Sequence, residues 1–124
     1  MNLKQFAKIF GIVFILVGIL GFIPGITNAQ GMLLGIFHVN ALHNLFHIVS
    51  GAIAYWVSRK GTRASKLYFQ IFGIIYGVLA LMGFGKGDQD LLGCIANNMA
   101  DAWLHLVIAI VALYLGFLYK KTAE

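Results

Sequence analysis

The sequence contains one cysteine, one proline and only 4 acidic residues in 124. Cys94 has no second cysteine to pair with, which excludes a secreted scaffold held by internal disulfides. Charged residues of both signs make up 10% of the chain, against roughly 25% in soluble globular proteins. That leaves too little polar surface to coat a water-soluble ball, and too much hydrophobicity for a disordered chain. A typical soluble enzyme is excluded with them. What the chain does have is 60% hydrophobic residues, 15 glycines and 9 basic residues, for a net charge of +5. It reads as a single transmembrane domain, residues 1–124.

Charge-free apolar stretches alternate with short polar breaks. The first runs from Ile9 to Ile23 and stops at Pro24-Gly25, and the second from about Ala41 to Val57. The third covers Leu67 to Phe84, and the fourth about Ala102 to Tyr119. Each lies near the roughly 17–25 residues a helix needs to cross the bilayer. Backbone groups in hydrocarbon must be satisfied within the segment, so helices are expected. The fold class expected is all-α: a polytopic membrane four-helix bundle.

Lys4 and Lys8 precede the first span, Arg59, Lys60, Arg63 and Lys66 separate the second from the third, and Lys120 and Lys121 follow the fourth. Only Lys86, with Asp88 and Asp90, lies on the other side. Basic residues collect on the cytoplasmic face, so a multi-pass cell-membrane protein with both termini cytoplasmic is expected. Tyr55, Trp56, Tyr68 and Tyr119 sit beside those charges and are expected at the interface. No arginine–aromatic interleaving suggests nucleic-acid binding. The expected partner is the lipid bilayer.

An internal repeat organises the chain. Leu33–Trp56 aligns on Leu91–Tyr114 without gaps at an offset of 58, matching Gly35 with Gly93, Asn40 with Asn98 and His47 with His105. The first and third spans align at an offset one residue larger, pairing Phe10 with Phe69 and Gly18 with Gly77. Two parallel-oriented helical hairpins, 1–60 and 61–124, are expected about an axis along the membrane normal. Lys4, Lys8, an apolar run and Thr27-Asn28-Ala29 also resemble a secretory signal with its cleavage site. The counterpart of the first span in the repeat argues that it is retained. The Leu-Leu-Gly stretches of the two outer loops are expected to form short interfacial helices. Gly73 and Gly77 form a GxxxG pair, suited to packing within the bundle or to a homo-oligomer.

The informative residues are polar. Asn40, His43, Asn44 and His47 open the second helix, and Asn98, Asp101 and His105 open the fourth. His43 and His47 share a helix face, as do Asp101 and His105. At about 1.5 Å per residue, His47 and His105 lie roughly 18–22 Å from the cytoplasmic charges, in the outer leaflet. Such groups should point into the bundle and pair.

Four chemistries compete for this set. In the structural one, Asn40 and Asn98 are N-caps, Asn98 and Asp101 form a capping box, and Asp101 accepts from His43 or His105. In the second, His43, His47, Asp101 and His105 hold a transition metal such as zinc, copper or iron. The third places haem b between His47 and His105, and the fourth relays protons or a small solute as part of a transporter. The almost purely apolar cytoplasmic halves argue against a complete path. His38, whose repeat partner is Ala96, is expected at the interface, and Asn44 is expected in one helix–helix hydrogen bond. Ser50 and Cys94 lack the base and orienting group that nucleophilic catalysis needs. The leading reading is non-enzymatic: a polar cluster that is structural or binds a small ligand or proton.

Val39-Asn40-Ala41-Leu42-His43-Asn44-Leu45-Phe46-His47, followed by Gly51, resembles the opening of the second span in a bacterial membrane family, domain of unknown function forty-three eighty-three. Asn98, Asp101, Trp103, Leu104 and His105 fit the matching Asp-x-x-x-His stretch on that family's fourth span. The outer loops look shorter here than is usual in the family. The resemblance implies four spans and the polar cluster, and brings no activity and no catalytic residue.

Overall fold

The computed structural model describes residues 1–119; Lys120 and Lys121 lie outside the described residues. The chain is mainly helical, with α1 (Leu3–Leu20), β1 (Met32–Leu33), β2 (Phe37–His38), α2 (Ala41–Ser58), α3 (Thr62–Lys86) and α4 (Met99–Leu113). A π-helical turn, Tyr114–Leu118, extends α4. By length and composition Leu3–Leu20, Thr62–Lys86 and Met99–Leu118 are apolar enough to cross a membrane. The fourth helix, α2, has 18 residues but carries His43, Asn44, His47 and Ser50.

Helix ends follow the caps rather than the edges of the apolar runs. α1 starts six residues before Ile9 because Asn2 and Gln5 form a reciprocal capping box, with bonds of 2.9 and 2.8 Å between side chains and amides. Asn40 Oδ1 accepts the His43 amide at 2.9 Å and Asn98 Oδ1 the Asp101 amide at 2.9 Å, which fixes the starts of α2 and α4. The wider π turn after α4 brings Gly116 against α3, where Gln70 Nε2 donates to the Gly116 carbonyl at 2.8 Å.

Polar and apolar faces are arranged as in a membrane protein. On α2, His43, Asn44, His47 and Ser50 are buried, while Leu42, Leu45, Val49 and Trp56 face outward. Ile9, Val13 and Leu16 of α1 and Ile71, Ile74 and Val78 of α3 are likewise exposed. That distribution suits an apolar surrounding.

α1 packs on α2 and α3 on α4. A Cβ added to Gly11 would lie 2.6 Å from the Gly51 carbonyl oxygen, and one added to Gly21 would lie 1.9 Å from Asn44 Oδ1. Gly73 and Gly77 look at Leu113 and Ala109 of α4 in the same chain. One end of the bundle is filled by Leu3, Ala7, Ala54, Val57, Tyr68, Phe69, Ala112 and Leu115. Tyr68, expected at the interface, is instead buried there, its hydroxyl donating to the Ser50 carbonyl at 2.9 Å.

The outer Leu-Leu-Gly stretches are not helices. Each is a tight left-handed turn: Leu34 and Gly35 have φ of 55° and 70°, and Leu92 and Gly93 have 53° and 73°. The first turn joins β1 to β2, with Met32 opposite His38, and the second closes a Leu91–Ile95 bridge. Glycine, with no Cβ, takes this conformation without steric cost, which stops a helix at both sites. The two repeats thus share backbone conformation as well as sequence at the offset of 58.

Candidate functional site

The two outer turns and the starts of α2 and α4 meet at one end of the bundle. Each cap asparagine crosses to the other hairpin. Asn40 Nδ2 donates to the Cys94 carbonyl at 2.9 Å, and Asn98 Nδ2 donates to the Ile36 carbonyl at 3.0 Å. Ile36 and Cys94 are equivalent in the repeat, so the bonds are a reciprocal pair.

Beneath this latch lie three imidazoles. His43, His47 and His105 are each at most 4% exposed, and one nitrogen from each lies within 4.8 Å of the others. The rings of His43 and His47 stack at 4.9 Å, and His105 stands 5.6 Å from His43 and 6.0 Å from His47. Two of the rings come from the first hairpin and one from the second.

Hydrogen bonding assigns the protons of the imidazoles. His43 Nδ1 lies 2.8 Å from the Ala96 carbonyl. A carbonyl only accepts, so Nδ1 carries the hydrogen and neutral His43 presents a bare Nε2. That lone pair is 3.0 Å from His47 Nε2, which must then donate, leaving a bare His47 Nδ1. Neither His47 Nδ1 nor His105 Nδ1 has a hydrogen-bond partner among the described residues, although both are buried. An unpaired buried polar atom costs about 1–3 kcal/mol.

Asp101 does not join the imidazoles. Its Oδ2 accepts the Asn98 amide at 3.0 Å, completing the capping box, and the His38 amide at 3.1 Å. Neither bond goes to His43 or His105, because the capping geometry turns the carboxylate toward the outer turn. His38 is half-buried, with Nδ1 3.4 Å from the Asn97 carbonyl. Asn44 packs against Gly21, the C-cap of α1.

Three contributors have no place in the sequence reading. Tyr76 is buried beside the imidazoles, 5.5 Å from the His105 ring, and its hydroxyl donates to Ser50 Oγ at 3.1 Å. With Phe14 and Phe46 it gives the cluster an aromatic floor. A tyrosine in mid-span, far from either charged belt, was the available signal. Asn97 is fully buried and donates through Nδ2 to the Gly87 carbonyl at 2.8 Å, closing the second outer loop. The Ala96 carbonyl orients His43 and could not be found from side-chain chemistry.

A family model, Domain of unknown function (DUF4383), matches residues 4–118. The chain belongs to this family. In this DUF4383 chain the matched region takes in both hairpins, the latch and all three imidazoles. No curated protein and no solved structure matches the chain. Any function assigned to this DUF4383 protein therefore has to rest on its own geometry.

Proposed function

We propose that this protein is a multi-pass membrane protein that binds a transition-metal ion through His43, His47 and His105. One observation carries the reading: three buried imidazoles from two hairpins place a nitrogen each within 4.8 Å. His43 supports it further, since a ligating histidine usually gives its other N–H to a carbonyl, as His43 does to Ala96. Imidazole nitrogens suit zinc, copper, iron or nickel. Two nitrogens bound to one tetrahedral ion at about 2.0–2.1 Å stand roughly 3.3 Å apart. The 3.0 Å between His43 Nε2 and His47 Nε2 is close to that.

Haem fits less well. The His43 ring, 4.9 Å and 5.6 Å from its neighbours, occupies the space a porphyrin between His47 and His105 would need. A transport path is disfavoured by the apolar packing at the other end of the bundle. Asn40, Asn98 and Asp101 form the latch that holds the hairpins in register, and the histidines are the binding groups.

In this reading α2 crosses the membrane too: its average apolarity is lowered by residues that all face inward. The basic residues put both termini in the cytoplasm and the latch at the outer face. Hairpins 1–60 and 61–124 then form one domain related by a pseudo-twofold axis.

Elemental analysis of protein purified without chelator tests the assignment. The expectation is one metal ion per chain, lost in His47→Ala and in His105→Ala while both variants stay folded. Metal-free wild type that also fails to take up zinc or copper would overturn it.

A further inference from the structure

The two helix seams related by the repeat are unequal. α2 leans on α3, but the equivalent pair, α4 and α1, hardly approach one another. A cavity of about 220 Å³ lies in this looser region. Val17 and Leu20 of α1 and Leu104 of α4 form its walls, and Leu33, Phe37 and Val39 of the outer turn cover it. His43, Asn44, His47 and Asp101 supply its polar lining.

We propose that this cavity binds the head group of a membrane-dissolved quinone or quinol, admitted sideways from the outer leaflet between α1 and α4. The inference rests on taking the imidazoles as a ligand-binding centre. Almost wholly aliphatic and aromatic walls, with His43, Asn44, His47 and Asp101 among the lining residues, suit a lipophilic ring whose oxygens are its only hydrogen-bonding atoms. Clefts for drug-sized ligands measure about 300–1,000 Å³, so this cavity takes a single substituted ring, with any tail left in the bilayer. His47 lines the cavity, and its buried Nδ1 has no partner among the described residues. In the metal-free tautomer that nitrogen is an acceptor sealed just behind the cavity wall, and a turn of the ring would offer it to a quinol hydroxyl. With a metal on Nε2 it carries a hydrogen, which a quinone carbonyl accepts. A ring oxygenated at two opposite positions serves both states.

The test uses purified protein in lipid nanodiscs, metal-loaded and chelator-stripped, titrated with decylubiquinone against nanodiscs without protein. Saturable retention of one quinone per chain above that background is expected. Leu104→Trp fills the cavity without replacing an imidazole, and Val17→Phe does so from α1. Each should weaken retention at least tenfold with metal content unchanged, and lipid-facing Ile110→Trp should alter neither. Absence of saturable binding in both metal states overturns the proposal. So does wild-type retention in both cavity variants, or equal displacement by dodecane, which has no oxygens. Metal content measured on the same samples separates the two assignments: quinone bound by protein that takes up no metal even after loading sinks the metal centre alone, and metal without quinone sinks the cavity ligand alone.

Discussion

Asp101 and His43 occupy equivalent positions in the two repeats and meet the opposite hairpin with inverted polarity. Asp101 Oδ2 accepts the His38 amide at 3.1 Å, and His43 Nδ1 donates to the Ala96 carbonyl at 2.8 Å. His38 and Ala96 are themselves equivalent at the offset of 58. One duplicated position has thus become an acceptor in one copy and a donor in the other. The carboxylate serves the latch, and the imidazole is left with a bare Nε2 facing His47.

Asp101 is therefore expected to matter for folding and not for metal. Asp101→Asn keeps an acceptor oxygen and should lower thermal stability modestly. Asp101→Ala leaves two amides without their partner and should cost about 1–3 kcal/mol for each one left buried and unpaired. Metal content should stay at the wild-type level in Asp101→Asn. Loss of metal in a folded Asp101→Asn protein would return the carboxylate to the ligand set.

Asn40 and Asn98 each cap a helix and bond the opposite turn. Replacing either by alanine should destabilise the protein by about 1 kcal/mol through the lost cap, with a further loss from the crossing bond. The reciprocal arrangement predicts similar falls in Tm for the two single variants, read by thermal unfolding in detergent. A fall in only one of them would mean that the latch is one-sided.

Much of this architecture is legible in the sequence because membrane burial writes a simple code. The four helices follow from charge-free runs, and the caps from Asn40 and Asn98. Exact ends were less accessible: α1 reaches back to Leu3 because Asn2 and Gln5 form a capping box ahead of the apolar run. The outer Leu-Leu-Gly stretches read as short interfacial helices until the left-handed conformation of Leu34 and Leu92 is known. Within the polar set, spacing places Asp101 and His105 on one face. It cannot tell which amides compete for the carboxylate, and that competition separates Asp101 from the imidazoles.

Glycine contacts make a sharp contrast. A methyl group at Gly11 or Gly21 would collide with the Gly51 carbonyl or the Asn44 side chain, whereas Gly85 in α3 has open space around its Cβ position. Gly11→Ala and Gly21→Ala should each cost about 1–3 kcal/mol by overpacking. Gly85→Ala should be neutral or stabilise by up to about 1 kcal/mol, from the difference in helix propensity. Equal melting temperatures for all three variants would show that the α1–α2 seam is looser than described.

Cys94 is exposed at the second outer turn, so it reports orientation directly. A membrane-impermeant maleimide added to right-side-out vesicles should label Cys94. It should not label Lys60→Cys in a Cys94→Ser background until the vesicles are opened. The reverse pattern would invert the topology, placing the latch and the histidines in the inner leaflet.

X-ray absorption at the metal edge of zinc- or copper-loaded protein tests the metal centre most directly. Imidazole nitrogens from His43, His47 and His105 should appear in the first shell, at about 2.0–2.1 Å for zinc, with the metal signal lost in His105→Ala. A wild-type spectrum without imidazole scattering, or one unchanged by His105→Ala, would contradict the account.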